Sequence, residues 1–187
     1  MNESEQINFV VDDYQDLFSD FDSRDYDKKS LSDDFLSECK KASQDKGYDG
    51  LELQILIPKA IKNERKESII KERLLNHFKK HQVLTGLKKK SIIKKGLLFI
   101  IISAALLISS TLLHYYLKNQ SGLVLSMFFV VFEPMGVFFL WQGMDIYIFG
   151  PNKIKEEYEF YKKMSKTKIV FETLNDNSMI KKGSRLL

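Results

Sequence analysis

The chain is 187 residues long, 44% of them hydrophobic, with one cysteine and a formal net charge of +4. A single cysteine excludes a disulfide framework and fits a reducing compartment. The small net charge is the sum of an acidic and a basic region of the chain. Residues 1–34 contain eleven acids, whereas residues 62–95 contain twelve bases and three acids.

The N-terminal part begins with a short β-prone run at 7–11, which could supply a strand. An acidic segment rich in aromatic residues follows at 12–27. Segments of this composition are often extended and place their rings on a neighbour. We expect this one to dock on the protein's own basic helix through opposite charge. A motif that binds another protein is the alternative.

Two further elements precede the basic helix. Ser32 has the character of an N-cap, with two acids in the first turn, and predicts a helix over 32–44. The run LELQILI at 51–57 alternates and is stopped by Pro58, which predicts a strand. Four side chains of that strand should share its buried face: Leu51, Leu53, Ile55 and Ile57.

From about residue 63 to 84 the periodicity becomes helical, with Ile70, Leu74 and Phe78 in one stripe. Gly86 is expected to end this helix. His77 and His81 stand four residues apart, a spacing that can present two imidazoles to a metal. Lysines surround them and no third ligand is near, so we expect helix-surface histidines and no metal.

Two apolar runs follow and predict a transmembrane hairpin. Residues 96–117 contain no Asp, Glu, Lys or Arg and match a bilayer core of about 30 Å. Residues 118–122 form an external turn, and residues 123–150 form a second helix with an interfacial tail. So short a turn requires antiparallel neighbours.

Lysine placement sets the orientation of the hairpin. Lysines cluster before the first span and after the second, whereas the turn contains only Lys118. The positive-inside bias therefore predicts both termini in the cytoplasm of a bacterial inner membrane. The basic flank should meet anionic lipid headgroups rather than nucleic acid, although a plain positive-inside flank explains it equally well. The expected membrane-interface residues are Lys88, Lys89, Lys90, Lys94, Lys95, Trp141 and Asp145.

After Pro151 a helix is predicted over about 154–164, followed by a second strand near 168–174. Neither strand is stable alone, so they should pair in one sheet. The predicted fold is an α+β membrane protein in which the hairpin is inserted in a small cytosolic α/β domain. Its segments are an N-terminal cytosolic part (1–95), the first span (96–117), the turn (118–122), the second span and tail (123–150) and a C-terminal cytosolic part (151–187).

Glu133 is the most informative residue because it lies near the middle of the second span, directly before Pro134. A charged and unpaired acid at that depth costs several kcal/mol. One helix face carries Ser126, Glu133, Gly136 and Gly143, and one face of the first span carries Ser103, Ser110 and His114. We expect these faces to meet, so that the intramembrane polar site comprises Glu133, Pro134, Ser103 and Ser110.

Two interpretations of Glu133 remain open. In the structural one, a protonated carboxyl donates to a serine hydroxyl or to the Val130 carbonyl that Pro134 leaves free. In the functional one, Glu133 titrates or contacts ions within an oligomer.

Catalytic motifs are lacking in the sequence. We find no phosphate-binding glycine loop, Cys/His cluster, serine-nucleophile motif or catalytic carboxylate pair. We therefore expect no enzyme activity, no catalytic residues and no cofactor.

The run EPMGVFFLWQGMD at 133–145 resembles a pattern in small, functionally uncharacterised bacterial proteins with two transmembrane helices. The positions that fit are Glu133, Gly136, Trp141 and Asp145. Val137 and Gln142 depart from it, where an aromatic residue and an acid are expected. The resemblance implies the two-helix architecture, a following charged helix and a short strand, and it implies no activity.

These features favour a non-enzymatic membrane protein whose hairpin anchors a cytosolic interaction domain. That domain would self-associate or bind a membrane-associated partner protein. The alternative is an oligomeric channel or effector subunit that uses Glu133. A weaker third hypothesis is a lipid sensor that acts through the lysines of 88–95.

Overall fold

The computed structural model describes residues 5–47, 50–117 and 122–174, which form three strands and four α-helices. In chain order the elements are β1 Gln6–Val10, α1 Asp33–Ser43, β2 Glu52–Ile57, α2 Glu64–Tyr116, α3 Leu123–Ile148, α4 Lys155–Met164 and β3 Lys168–Thr173. An α/β unit is formed by residues 1–82 together with 159–187, and a hairpin unit by residues 83–158. Most of the predicted external turn, 118–121, lies outside the described residues.

The α/β unit is built on a three-stranded parallel sheet in the order β1-β2-β3. The predicted pairing of the two strongest strands is confirmed, with Leu53 opposite Ile169. The weaker run near residue 7 supplies the third strand, with Ile7 opposite Leu53. Parallel neighbours need a long crossover connection. Here α1 lies in one connection and the whole hairpin lies in the other.

The core of the α/β unit lies on one face of this sheet. Leu53, Ile55 and Ile57 of β2 are fully buried, as their alternation predicts. The basic part of α2 contributes its own stripe of fully buried side chains, Ile70, Leu74 and Phe78. The helix predicted over 32–44 is present as α1, and the Ser32 side chain accepts from the Phe35 N–H, which confirms the N-cap.

The acidic segment docks within its own unit, where its apolar and aromatic side chains join the core. Tyr14, Leu17 and Phe18 are almost completely buried in the core. The Tyr14 hydroxyl donates to Glu67 Oε1 over 2.9 Å and accepts from the Asn63 N–H over 3.0 Å. Burial raises the pKa of Tyr14 to about 12, and Glu67 adds to that increase. The segment is therefore held by apolar burial and by a neutral phenol that donates to an acid.

Gly86 does not end the basic helix, contrary to the sequence-based expectation. α2 runs without interruption from Glu64 to Tyr116, so the predicted basic helix and the first apolar span form one helix. An interior glycine costs about 1 kcal/mol relative to alanine, which a long helix tolerates. A Cβ added at Gly86 would lie 3.4 Å from the Tyr158 ring, so the small residue permits a close neighbour there.

Lys163, near the end of α4, ties the C-terminal part of the α/β unit to the end of α1. Its Nζ donates to the carbonyls of Ser43 (2.9 Å), Gln44 (3.4 Å) and Lys46 (2.6 Å). These carbonyls lie at the C-terminus of α1, where backbone acceptors lack helical partners and a cation is favoured. Two chain segments separated by more than a hundred positions are joined in this way.

Lys163→Met should destabilise the α/β unit by about 1–3 kcal/mol, because the hydrogen bonds from a charged ammonium group to three backbone carbonyls are lost. Cys39 is fully buried and is the chain's only thiol, so its labelling rate in the full-length protein reports opening of this unit. We expect labelling to accelerate about tenfold for each 1.4 kcal/mol lost. The matched control is Lys166→Met, at an exposed lysine three residues away. Equal rates in the two variants would contradict the assigned role.

Candidate functional site

The hairpin unit packs α2 against α3 in an antiparallel arrangement with very close backbones. A Cβ added at Gly96 would lie 2.7 Å from the Tyr147 backbone nitrogen, and one added at Gly143 would lie 2.9 Å from the Ile100 backbone nitrogen. Further along, His114 and Phe129 place their ring centroids 5.3 Å apart. Small residues allow this approach, and in a bilayer van der Waals packing is a main source of helix association.

The two serines predicted for the polar site both lie in this interface. Ser103 Oγ donates to the Gly136 carbonyl over 2.7 Å, and its side chain is fully buried. Ser110 is also buried, and its Oγ has no hydrogen-bond partner among the described residues. The two serines predicted on one face of α2 are thus both buried here, and Ser110 Oγ remains without a hydrogen bond from or to any described residue.

Glu133 does not face these serines, contrary to expectation. It is exposed, and no described residue donates a hydrogen bond to its carboxylate. The reason is geometric. At 100° per residue Glu133 and Gly136 differ by about 60° around the helix, so packing centred on the glycines turns Glu133 outward. Ser126 belongs to the same predicted stripe and is also exposed, with its Oγ donating to the Gly122 carbonyl.

Glu133 instead borders a shallow groove of about 640 Å³ on the outer side of α3. The groove is lined mainly by apolar atoms of Pro134, Val137, Phe138 and Trp141. Pro134 lies inside α3, which continues on both sides of it. The structure therefore separates the predicted polar site into a serine pair inside the hairpin and an acid–proline pair on its surface.

The residues expected at the membrane interface are largely exposed. Trp141 is 77% exposed, and Asp145 is exposed near the end of α3, where its carbonyl accepts from the Phe149 N–H. Lys89 is half-buried and places its Nζ 5.4 Å from the centre of the Tyr158 ring, a cation–π contact. The remaining lysines of the group are exposed: Lys88, Lys90, Lys94 and Lys95.

The histidine pair lies in the α/β unit and forms an aromatic stack. His77 and His81 are stacked with centroids 4.2 Å apart, and His81 stacks on Tyr161 at 4.9 Å. His77 Nε2 is buried with no hydrogen-bond partner among the described residues. Burial, and then the nearby His81, Arg73 and Lys80, lowers the pKa of His77 to about 4. His77 is thus neutral at pH 7.

No group of three or more His, Cys, Asp or Glu side chains is arranged to hold a metal ion within 5–47, 50–117 and 122–174. Cys39 is buried in the core of the α/β unit, and burial raises the pKa of its thiol. A thiol of this kind is a packing residue rather than a nucleophile. The role of Gly96 as a contact residue was not apparent from the sequence, because a glycine at the start of an apolar run also marks a boundary.

Comparison with protein-family models, curated proteins and solved structures finds no match to this chain.

Gly143→Ala should destabilise the hairpin by about 1–3 kcal/mol, because the new methyl group meets backbone that can move only with its helix. Gly136→Ala should cost less, since the nearest atom is the end of the Leu107 side chain at 2.8 Å. The midpoint of thermal loss of the detergent-solubilised peak in size-exclusion chromatography measures this. Gly122→Ala is the control, because no atom lies within 4 Å of the added Cβ. A Gly143 variant as stable as the Gly122 control would contradict close packing.

Acidification should weaken the α/β unit through His77. Its folded pKa of about 4 lies below the ordinary value of 6.5, so the unfolded chain binds the proton more readily between these two values. Stability is therefore present above pH 6.5 and is lost as the pH falls towards 4, by at most about 1.4 kcal/mol per unit.

The measurement is Cys39 labelling with a dipyridyl disulfide, comparing the native chain with His77→Phe at each pH. The ratio of native to variant rate cancels the pH dependence of the thiol itself. We expect this ratio to rise between pH 7 and pH 5. A ratio that stays constant over that range would show that His77 does not carry the effect.

Proposed function

We propose that this protein is a non-enzymatic integral membrane protein of the bacterial inner membrane. Its α2–α3 hairpin anchors a small cytosolic α/β domain that self-associates or binds a partner protein. The observation that carries the proposal is the pair of helices long and apolar enough to cross a membrane.

The exposure of these helices supports a membrane location. Only 17% of the apolar window of α2 and 11% of that in the second helix is buried inside the protein. The core helix of a water-soluble domain would bury most of such a window. Large apolar side chains point outward along both helices, among them Ile101, Ile108, Val130 and Val137. A bilayer is the solvent in which this surface is stable.

The sheet supports an arrangement with both ends on one side of the membrane. β2 precedes the hairpin, β3 follows it, and the two strands pair along their whole length. Strands that share a sheet must lie on the same side of a bilayer, so the chain between them crosses it an even number of times. The lysines of 88–95 and those following α3 favour the cytoplasm as that side, with anionic headgroups as their counterparts.

The shape of the α/β unit supports an interaction role. Its parallel sheet has one covered face, and the opposite face carries exposed or half-buried residues such as Asn8, Gln54 and Val170. Parallel sheets are usually covered on both faces. The open face and the outer edges of β1 and β3 are therefore surfaces that a partner could cover.

The second candidate is an oligomeric channel or membrane effector subunit that uses Glu133. It is favoured by the outward position of this acid, since one acid per chain forms a polar path only when several copies surround an axis. The resemblance at 133–145 to small bacterial proteins with two transmembrane helices fits either candidate. The lipid-sensor hypothesis would depend on the exposed lysines at 88, 90, 94 and 95.

The topology can be tested with single cysteines at exposed positions and a membrane-impermeant maleimide on intact cells. Gly122→Cys should be labelled from outside, whereas Asp20→Cys and Lys166→Cys should be labelled only after lysis. The native chain is the blank, because Cys39 is buried. Extraction of the protein by alkaline carbonate, or labelling of Asp20→Cys in intact cells, would overturn the proposal.

A further inference from the structure

We propose that the Glu133 face of α3 is the surface on which a second copy of this chain docks within the membrane. The face is defined here by Glu133, Pro134, Val137, Phe138 and Trp141. This inference rests on the proposed membrane function and names the partner that the hairpin would bind. The starting observation is an exposed acid, ten residues into a 26-residue apolar helix.

The depth of Glu133 makes its exposure unfavourable in lipid. Ten residues at 1.5 Å place it about 15 Å from the start of α3, near the middle of a 30 Å hydrocarbon layer. A carboxyl group facing hydrocarbon at this depth is costly unless another polar group meets it. Intramembrane acids accordingly face other helices or water-filled cavities rather than lipid.

No described side chain forms a hydrogen bond with Glu133 at that level. The contacts of Leu107 with Gly136 and of His114 with Phe129 place Ser110 level with residues 132–133, but Ser110 is buried between the helices. The neighbouring hydroxyls on α2 are engaged within their own helix. Ser109 Oγ donates to the Ala105 carbonyl over 2.6 Å, and Thr111 Oγ1 donates to the Leu107 carbonyl over 2.8 Å.

A second copy of the chain supplies a polar group at the required depth, because it carries the same Glu133. Rotation about an axis along the membrane normal keeps every residue at its own depth, so Glu133 of one copy reaches Glu133 of the next. The two carboxyl groups can then form a hydrogen bond to each other across the contact, so that neither faces hydrocarbon alone. A helix of a different protein would need its own donor at this same depth.

The shape of the face fits such a neighbour. The side chains around Glu133 stand out from the hairpin, with Val137 57%, Phe138 62% and Trp141 77% exposed. They border a groove of about 640 Å³ in which side chains of a neighbouring helix can be placed. Packing of apolar side chains and an interhelical hydrogen bond are the interactions that associate helices in lipid.

The test is disulfide cross-linking of the full-length chain in native membranes with a copper-phenanthroline oxidant. Val137→Cys lies one turn from Glu133 on the proposed face. Met135→Cys is the matched control, because Met135 is also exposed (44%) but lies about 160° around the helix from Val137. The native chain, with buried Cys39 alone, is the blank. We expect a dimer of twice the chain mass from Val137→Cys and only background from Met135→Cys.

The role of the acid is tested in the Val137→Cys background. Glu133→Leu should lower the dimer yield about three- to tenfold, since the shared hydrogen bond is lost. Glu133→Gln should retain most of the yield, because two amides still donate to each other. Equal yields from the two cysteine positions, an adduct with another protein in place of the dimer, or an undiminished yield with Glu133→Leu would each overturn the proposal.

Alkaline carbonate extraction of the same membranes distinguishes failure of the docking surface from failure of the proposed membrane function. Protein that remains in the pellet but gives no Val137→Cys dimer contradicts the docking surface alone. Protein that is released into the supernatant contradicts the membrane function on which the docking surface rests.

Discussion

The central strand β2 needs neighbours that come from opposite ends of the chain. On one side it pairs with β1 near the N-terminus, and on the other with β3, which begins 111 positions after β2 ends. An unpaired strand exposes its backbone groups, so the sheet is complete only after the chain has passed through both long helices and returned. Folding of the α/β unit is thereby coupled to formation of the hairpin. The Lys163 hydrogen bonds to the end of α1 likewise join the part of the chain after the hairpin to the part before it.

Close packing in the hairpin determines where its polar groups lie. Gly96, Gly136 and Gly143 bring the two backbones together, and this contact buries Ser103 and Ser110. The same rotation of α3 turns Glu133 outward. An acid hydrogen-bonded inside the hairpin would allow a single copy to be stable in lipid. An acid on the outer surface instead faces hydrocarbon in an isolated hairpin, at a cost in free energy, which is the physical basis for proposing association between copies.

Local patterns were sufficient for much of the fold. Alternation at 51–57 and helical spacing of Ile70, Leu74 and Phe78 predicted buried faces that the structure confirms. Patterns failed where a neighbour distant in sequence decided the outcome. Gly86 was expected to stop a helix but faces Tyr158 within one.

The sequence by itself determined the apolar spans, the strands and the positions of the unusual polar residues, because these follow from composition and from the 2.0 and 3.6 periodicities. Only the tertiary structure decided which side of each helix is covered. Glu133 and Gly136 are three residues apart and belong to one stripe in the helical pattern of the sequence. The close approach of Gly136 and Gly143 to α2 selects the glycine edge of that stripe, and the acid is left outside. Helical periodicity specifies relative angles, whereas packing against a second helix fixes the rotation.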